Sequence, residues 1–224
     1  PPHQLIMTAT PIPRTLAMTA FGDLDVSIIK HSPPGRGDVI TRWVQPHDRP
    51  AAMDFIRQRL RAGKQAYFVY PRIDSDASAG EENGYIKAAV NEHRVLSQKT
   101  FREFSVGLLH GQMPAEEKTR IMNEFRSGRI HVLVSTVVIE VGVDVPNAAV
   151  MVIEDANRFG LAQLHQLRGR IGRGSARSYC LLFSQTEDPD ARSRLEIMTR
   201  SRDGFEIAEE DLRLRGPGEL FSTR

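Results

Sequence analysis

The sequence is short of several things, and each shortage closes off a class of protein. It holds one cysteine, Cys180, inside the apolar run SYCLLF. That excludes a disulfide framework and is compatible with a reducing compartment. Its seven histidines show no ligand-like spacing with one another or with Cys180, which argues against a structural metal. No apolar run approaches the roughly 18 residues of a membrane span. PPHQLIMTAT lacks the basic start and long apolar core of a signal peptide. No GxxxxGK(S/T) phosphate loop occurs, since Gly63-Lys64 has neither the earlier glycine nor the following hydroxyl. There is no Asp-Glu dipeptide to hold a nucleotide's magnesium. The net charge is only +2, so a nucleic-acid surface has to come from local clustering. Lysine is scarce too: 25 of the 30 basic residues are arginine, an imbalance that genomic composition explains as readily as function.

What is present suffices for one large α/β domain, or one domain with an appendage. Hydrophobic content of 40% and charged content of 26% are ordinary for a soluble globular protein. LIMT (5–8) reads as a strand, followed by a helix to about Ala20 and a strand-like DVSIIK. VITRWV alternates as a strand does. From Asp48, Met53, Phe55, Ile56 and Leu60 trace one side of a helix, with Arg57, Arg59 and Arg61 on the other, and Gly63 ends it. AYFVY follows as a buried strand. PRIDSDASAGEENG reads as a polar loop, and a helix is expected from Ala88 to Phe104. VGLLH is a strand, a helix begins at Pro114 and closes at Gly128, and HVLVST, AAVMVIE and SYCLLF are three more strands. Near-continuous apolar strands separated by helices indicate a parallel sheet covered on both faces. Ligands of such sheets bind beyond the carboxyl ends of the strands, where the loops after Tyr70, His110, Thr136 and Glu154 fall. From Glu187 the strand pattern stops, and two amphipathic helices turning at Asp203-Gly204 suggest an αα-hairpin.

The stretch QLHQLRGRIGRG (163–174) crowds Arg168, Arg170 and Arg173 among three glycines. Leu161, Leu164, His165 and Leu167 recur at helical spacing, and the glycines then let Arg170 and Arg173 project toward one point. A guanidinium is a permanently charged planar fork that fits phosphate oxygens in pairs. The run is equally what a basic helix end compensating its own dipole looks like. In STVVIEVGVDVPN (135–147), Gly142 permits close backbone approach and Asp144 can accept from a sugar hydroxyl; an ordinary crossover with a surface Asp fits as well. In LLHGQM (108–113) a strand ends in His-Gly before a helix whose free N–H groups suit a nucleic-acid phosphate. A plain βα turn has the same pattern. An arginine pair with no phosphate cradle is half a site, presented to a neighbouring domain.

Taken together, TATPIPRT (8–15), LLHGQM, STVVIEVGVDVPN and QLRGRIGRG resemble motifs III to VI of superfamily 2 helicases, in that order. The tail RLEIMTRSRDGFEIAEEDLRLRGPGEL (194–220) narrows the resemblance to the RecG family of bacterial ATP-dependent DNA helicases. The resemblance covers essentially the whole chain. It implies a RecA-like second helicase lobe without a P-loop of its own, plus a C-terminal helical hairpin. The implied domains are a motif III segment at 1–22, the helicase C-terminal domain at 23–186, and a truncated translocation hairpin at 187–224. The chain reads as a fragment of something longer, with Walker motifs and a DNA wedge domain upstream.

Carried over residue by residue, the resemblance puts Arg170 and Arg173 at the ATP γ-phosphate, with Gln166 orienting them. Gly142 and Asp144 line the nucleotide cleft. Thr8, Thr10 and Arg14 belong to the segment that couples hydrolysis to lobe motion, and His110 and Gly111 lie along the DNA track. Arg194 and Arg215 match the hairpin arginines that link motor to duplex. The implied cofactor is ATP with Mg2+, held mainly by the first lobe. The implied partners are branched duplex DNA (forks and Holliday junctions) and the first lobe and wedge of the same chain. A cytoplasmic, nucleoid-associated monomer is expected, and the fragment alone is expected to be inactive. The family pattern continues past Thr223-Arg224 and tends to have Gly where Ser222 stands, which bears on the hairpin loop. A close rival is the motor of a transcription-repair coupling translocase, which shares the hairpin. A nucleic-acid-binding module without enzymatic role is a second rival, opposed by the convergence of Arg170 and Arg173. A small-molecule α/β enzyme lacks any nucleophile–base pair.

Overall fold

A computed structural model describes residue 27 and residues 37–71, 79–136 and 145–215, with backbone alone for 79–85 and 215. Six strands form one parallel sheet: β1 (Val39–Val44), β2 (Gln65–Val69), β3 (Val106–Leu109), β4 (Val132–Ser135), β5 (Ala148–Ile153) and β6 (Ser178–Phe183). Their order across the sheet is β1-β6-β5-β2-β4-β3. The helices are α1 (Arg49–Arg61), α2 (Ala79–Val95), α3 (Ala115–Arg126), α4 (Leu161–Arg168), α5 (Pro189–Arg200) and α6 (Gly204–Arg215). The expected parallel α/β sheet is present, with a helical hairpin, α5–α6, appended.

The inner strands β2, β4 and β5 are buried at every position, which is why they read as unbroken apolar runs. Alternate residues feed two cores. Tyr67, Val69, Met151, Ile153, Cys180 and Leu182 meet α3, α4 and the hairpin on one face. Phe68, Val134, Val152 and Leu181 meet α1 and the region around Leu96 and Phe101 on the other. Leu161, Leu164 and Leu167 of α4 are wholly buried. Each such side chain contributes roughly 1.5–3 kcal/mol of transfer free energy, and together they hold the short helix flat on the sheet.

The helix expected over 88–104 is displaced. α2 begins at Ala79, inside the stretch read as a polar loop, and ends at Val95. A single π turn follows over Leu96–Thr100, where the Phe101 amide bonds the Leu96 carbonyl at 2.7 Å. The wider turn keeps both Leu96 and Phe101 inside the core. The segments LIMT, its following helix and DVSIIK lie outside the described residues.

α5 opens as its sequence requires. Asp188 accepts from the amides of Asp190 and Ala191, and Pro189 takes the first helical position, where its missing N–H costs nothing.

Candidate functional site

The arginine loop begins where α4 ends. Leu161, Leu164 and Arg168 share one face of that helix, so Arg168 follows the leucines inward and is 5% exposed. Among the described residues it finds no carboxylate there. Its Nη1 donates to the carbonyls of Met198 (3.1 Å) and Ser201 (2.7 Å), at and just beyond the end of α5. Burial, then repulsion from Arg202, lowers its pKa, partly against the pull of Cys180. Hydrogen bonds from a charged donor, about 1.5–3 kcal/mol each, and the negative end of the α5 dipole offset that cost. The basic helix end is therefore spent on a neighbouring helix.

Beyond Gly169 the chain turns back, and Gly172 sits at φ 73, in the left-handed region. A Cβ on Gly172 would lie 2.5 Å from a Val39 methyl. Arg170 is half-buried and Arg173 exposed. Burial, and next the nearby charge of Arg173, lowers the Arg170 pKa. No carboxylate among the described residues pairs with Arg170. Two guanidinium groups thus lie near enough to influence each other, and such forks suit an anion with several oxygens. Gln166 is exposed on α4 and bonds to neither arginine in the hydrogen bonds described.

The loop's place in the sheet differs from the expectation that ligand loops gather at the carboxyl ends. It packs against Val39, the first residue of β1, and the Pro146 carbonyl, just before β5, so it stands at the amino rim. The reason is that α4 starts above β5 and runs back down the sheet. Gly142 and Asp144 lie outside the described residues, as do Thr8, Thr10 and Arg14, Ser222 and the side chain of Arg215.

The carboxyl rim carries a second polar group. The Glu154 amide bonds Val69, that of Tyr70 bonds Ser135, and that of Thr136 bonds Leu109. Glu154, Tyr70, Thr136 and His110 therefore stand in one row across four adjacent strands. Arg49 donates to Glu154 (2.9 Å) and Glu92 (3.1 Å) and lies over the Phe183 ring. Burial raises the Glu154 pKa despite Arg49, while Arg49, which burial alone would lower, is raised by Glu154. Burial also pushes the Tyr70 hydroxyl up. Tyr70 Oη, Glu154 Oε1 and His110 Nδ1 are buried and find no hydrogen-bond partner among the described residues. Gly111 accepts from Lys118 Nζ at 2.6 Å. Arg194, on α5, donates to the Asn157 carbonyl just past β5. Asp155, between them, holds a left-handed φ of 46.

Sequence reasoning missed Arg168 as a structural donor and the Arg49–Glu154 pair. The signal for Arg168 was its spacing from Leu161 and Leu164. Nothing in sequence pointed to Arg49, which meets Glu154 only through the register of β5 beside β2. Among the described residues, no three His, Cys, Asp or Glu side chains gather to hold a metal. No helix among them is long and apolar enough to cross a membrane.

The helicase conserved C-terminal domain family matches residues 52–175. The ATP-dependent DNA helicase RecG of Synechocystis sp. is 54% identical over 223 residues, covering 100% of this chain and 26% of that protein. The protein of the same name from Thermotoga maritima is 50% identical over 98% of this chain and 28% of its own length. A structure of RecG bound to a three-way DNA junction superposes with a TM-score of 0.77 at 48% identity, over 95% of this chain and 27% of that one. The chain spans about a quarter to a third of the length of the curated relatives it matches. An α/β lobe with an arginine loop at one rim, matched over more than half its length by that family, belongs to the helicase conserved C-terminal domain family, and the relatives it resembles from end to end are RecG helicases.

Proposed function

We propose that this chain is the second motor lobe of an ATP-dependent duplex-DNA translocase, one that remodels stalled forks and branch-migrates Holliday junctions. The observation that carries the reading is the closeness of Arg170 to Arg173, with no carboxylate partner for Arg170 among the described residues. Residues 1–22 are read as the motif III segment, 23–186 as the motor lobe and 187–224 as a truncated translocation hairpin. The site fits a nucleotide polyphosphate and offers no described carboxylate cluster for magnesium. ATP, with Mg2+ held mainly by the first lobe, supplies the phosphoryl group for hydrolysis. Arg170 and Arg173 meet the phosphate charge that shifts during that reaction, in a geometry fixed beforehand by their loop.

Gln166 is assigned to orienting the arginines, and Gly142 and Asp144 to lining the nucleotide cleft. Thr8, Thr10 and Arg14 are assigned to coupling between lobes, His110 and Gly111 to the DNA track, and Arg194 and Arg215 to the hairpin linkage. The relative solved with a three-way junction supports branched duplex DNA as the partner. The working protein is a cytoplasmic, nucleoid-associated monomer, and this lobe alone turns over no ATP.

The test is Arg173→Ala in the full-length protein. DNA-stimulated ATPase should fall on the order of a thousandfold or more, with DNA affinity largely kept. Lost affinity with retained ATPase would instead support a DNA-binding module.

A further inference from the structure

Both ends of the arginine loop are fastened to the same short turn. At the entrance, Arg168 donates to the carbonyls of Met198 and Ser201. At the exit, the Gly174 carbonyl accepts from the Gly37 amide at 2.8 Å. The next residue, Asp38, forms an ion pair with Arg202 at 2.9 Å. Asp38 also accepts the Ser178 amide, which closes the start of β6 onto the start of β1. Ser201 and Arg202 are neighbours in the turn between α5 and α6, so one turn touches residue 168 directly and residue 174 through Gly37-Asp38.

That turn is itself built firmly. The Ser201 amide bonds the Ile197 carbonyl at 2.8 Å, and the Asp203 amide bonds Ser201 Oγ at 3.1 Å. Ser201 Oγ donates to Glu206, and Asp203 accepts the Phe205 amide, so the turn is tied to both hairpin helices. Ser201 is buried, and Leu195, Met198 and Ile207 anchor α5 and α6 in the same core as α4.

We propose that the Met198–Asp203 turn is the positioning device for the arginine loop, with Arg168 and the Asp38–Arg202 pair as its two contacts. This rests on the reading of Arg170 and Arg173 as phosphate-facing. Neither contact involves Arg170 or Arg173. Arg168 fixes where the loop leaves α4. Asp38 and Arg202 fix where it joins β1. The separation and direction of Arg170 and Arg173 follow from both. A shift of the hairpin relative to the sheet moves the two ends of the loop together, and the phosphate-facing geometry then depends on the state of an element that lies outside the cleft. Misplacing a positioned charged group by about an ångström costs on the order of a hundredfold in rate.

The experiment uses the full-length protein, a forked duplex and steady-state ATPase. Arg168→Met keeps an unbranched side chain and removes the donors; Arg168→Lys restores one charged donor. Asp38→Arg and Arg202→Asp are made singly and as the charge swap. Both side chains of that pair are more than half exposed, so their removal has little effect on folding. The expected result is a tenfold to hundredfold loss of kcat in Arg168→Met with KM for ATP unchanged, on the order of what misplacement costs. Arg168→Lys should recover part of it. Each Asp38 or Arg202 single should lower kcat, and the swap should restore it.

Unchanged kcat in folded Arg168→Met or in the two singles overturns the proposal. So does a loss carried wholly by KM, or a swap that fails to restore. Should Arg168→Met fail to fold, the charge-swap set decides alone. Arg173→Ala run in parallel keeps the two readings apart. Full ATPase there sinks the phosphate-facing assignment. Loss there beside unchanged kcat in the positioning variants sinks only the turn.

Discussion

Arg194 Nη2 donates to the main-chain oxygen of Asn157 across 3.1 Å, pinning the first hairpin helix to the turn that follows β5. Asn157 is braced from the other side, where its Oδ1 accepts from Ser184 Oγ at 2.8 Å. The hairpin is therefore attached to the carboxyl rim by Arg194 and to the amino rim by Arg168.

Arg194→Ala in the full-length protein should leave DNA-stimulated ATPase mostly intact while fork unwinding is lost. A hydrogen bond from a charged donor is worth about 1.5–3 kcal/mol, enough to loosen the hairpin without unfolding the lobe. Unwinding and ATP turnover are measured on the same fork. Equal loss of both would remove Arg194 from any coupling role.

Gly172→Ala should destabilise the lobe. The left-handed backbone alone costs a non-glycine residue roughly 1–2 kcal/mol, and the new methyl would meet Val39 at 2.5 Å. Denaturant unfolding of this chain gives the number. A change smaller than about 0.5 kcal/mol, the range of an ordinary surface substitution, would show that the turn relaxes freely.

Glu154 should leave a signature in pH. Burial raises its folded pKa above the ordinary 4.5. A carboxyl raised in this way holds its proton in the folded state at pH values where the unfolded chain has released it. The resulting stability is fully present below 4.5 and is lost as pH rises through the raised value. The melting temperature of the wild type relative to Glu154→Gln should therefore fall as pH climbs from 4.5 toward neutrality. A constant difference across that range would mean that Arg49 balances burial, and a rising one that Arg49 outweighs it.

Strands were the most legible part of the sequence, and for a simple reason. VITRWV and SYCLLF match β1 and β6 residue for residue because apolar runs bounded by polar residues leave little room for error. The π turn at Leu96–Thr100 was invisible because periodicity assumes a constant turn, and here one extra residue keeps Leu96 and Phe101 in the core. The early start of α2 was hidden for a similar reason, since AGEENG looks like a loop by composition. Arg168 was given no role of its own in the sequence, although its position on the leucine face of α4 sends it inward. The turn that carries Arg170 and Arg173 was legible from glycine spacing. Their placement at the amino rim was not, because it depends on the direction in which α4 crosses the sheet.

The sheet order carries a consequence for synthesis. Among the described residues β1 pairs only with β6, the last strand made. Once made, β2, β4 and β5 can dock on one another, but Val39–Val44 waits for β6, its partner among the described residues. Gly37 has nothing to clasp until Gly174 has emerged from the exit tunnel. The loop that carries Arg170 and Arg173 is thus among the last parts of a nascent copy to be fastened at both ends.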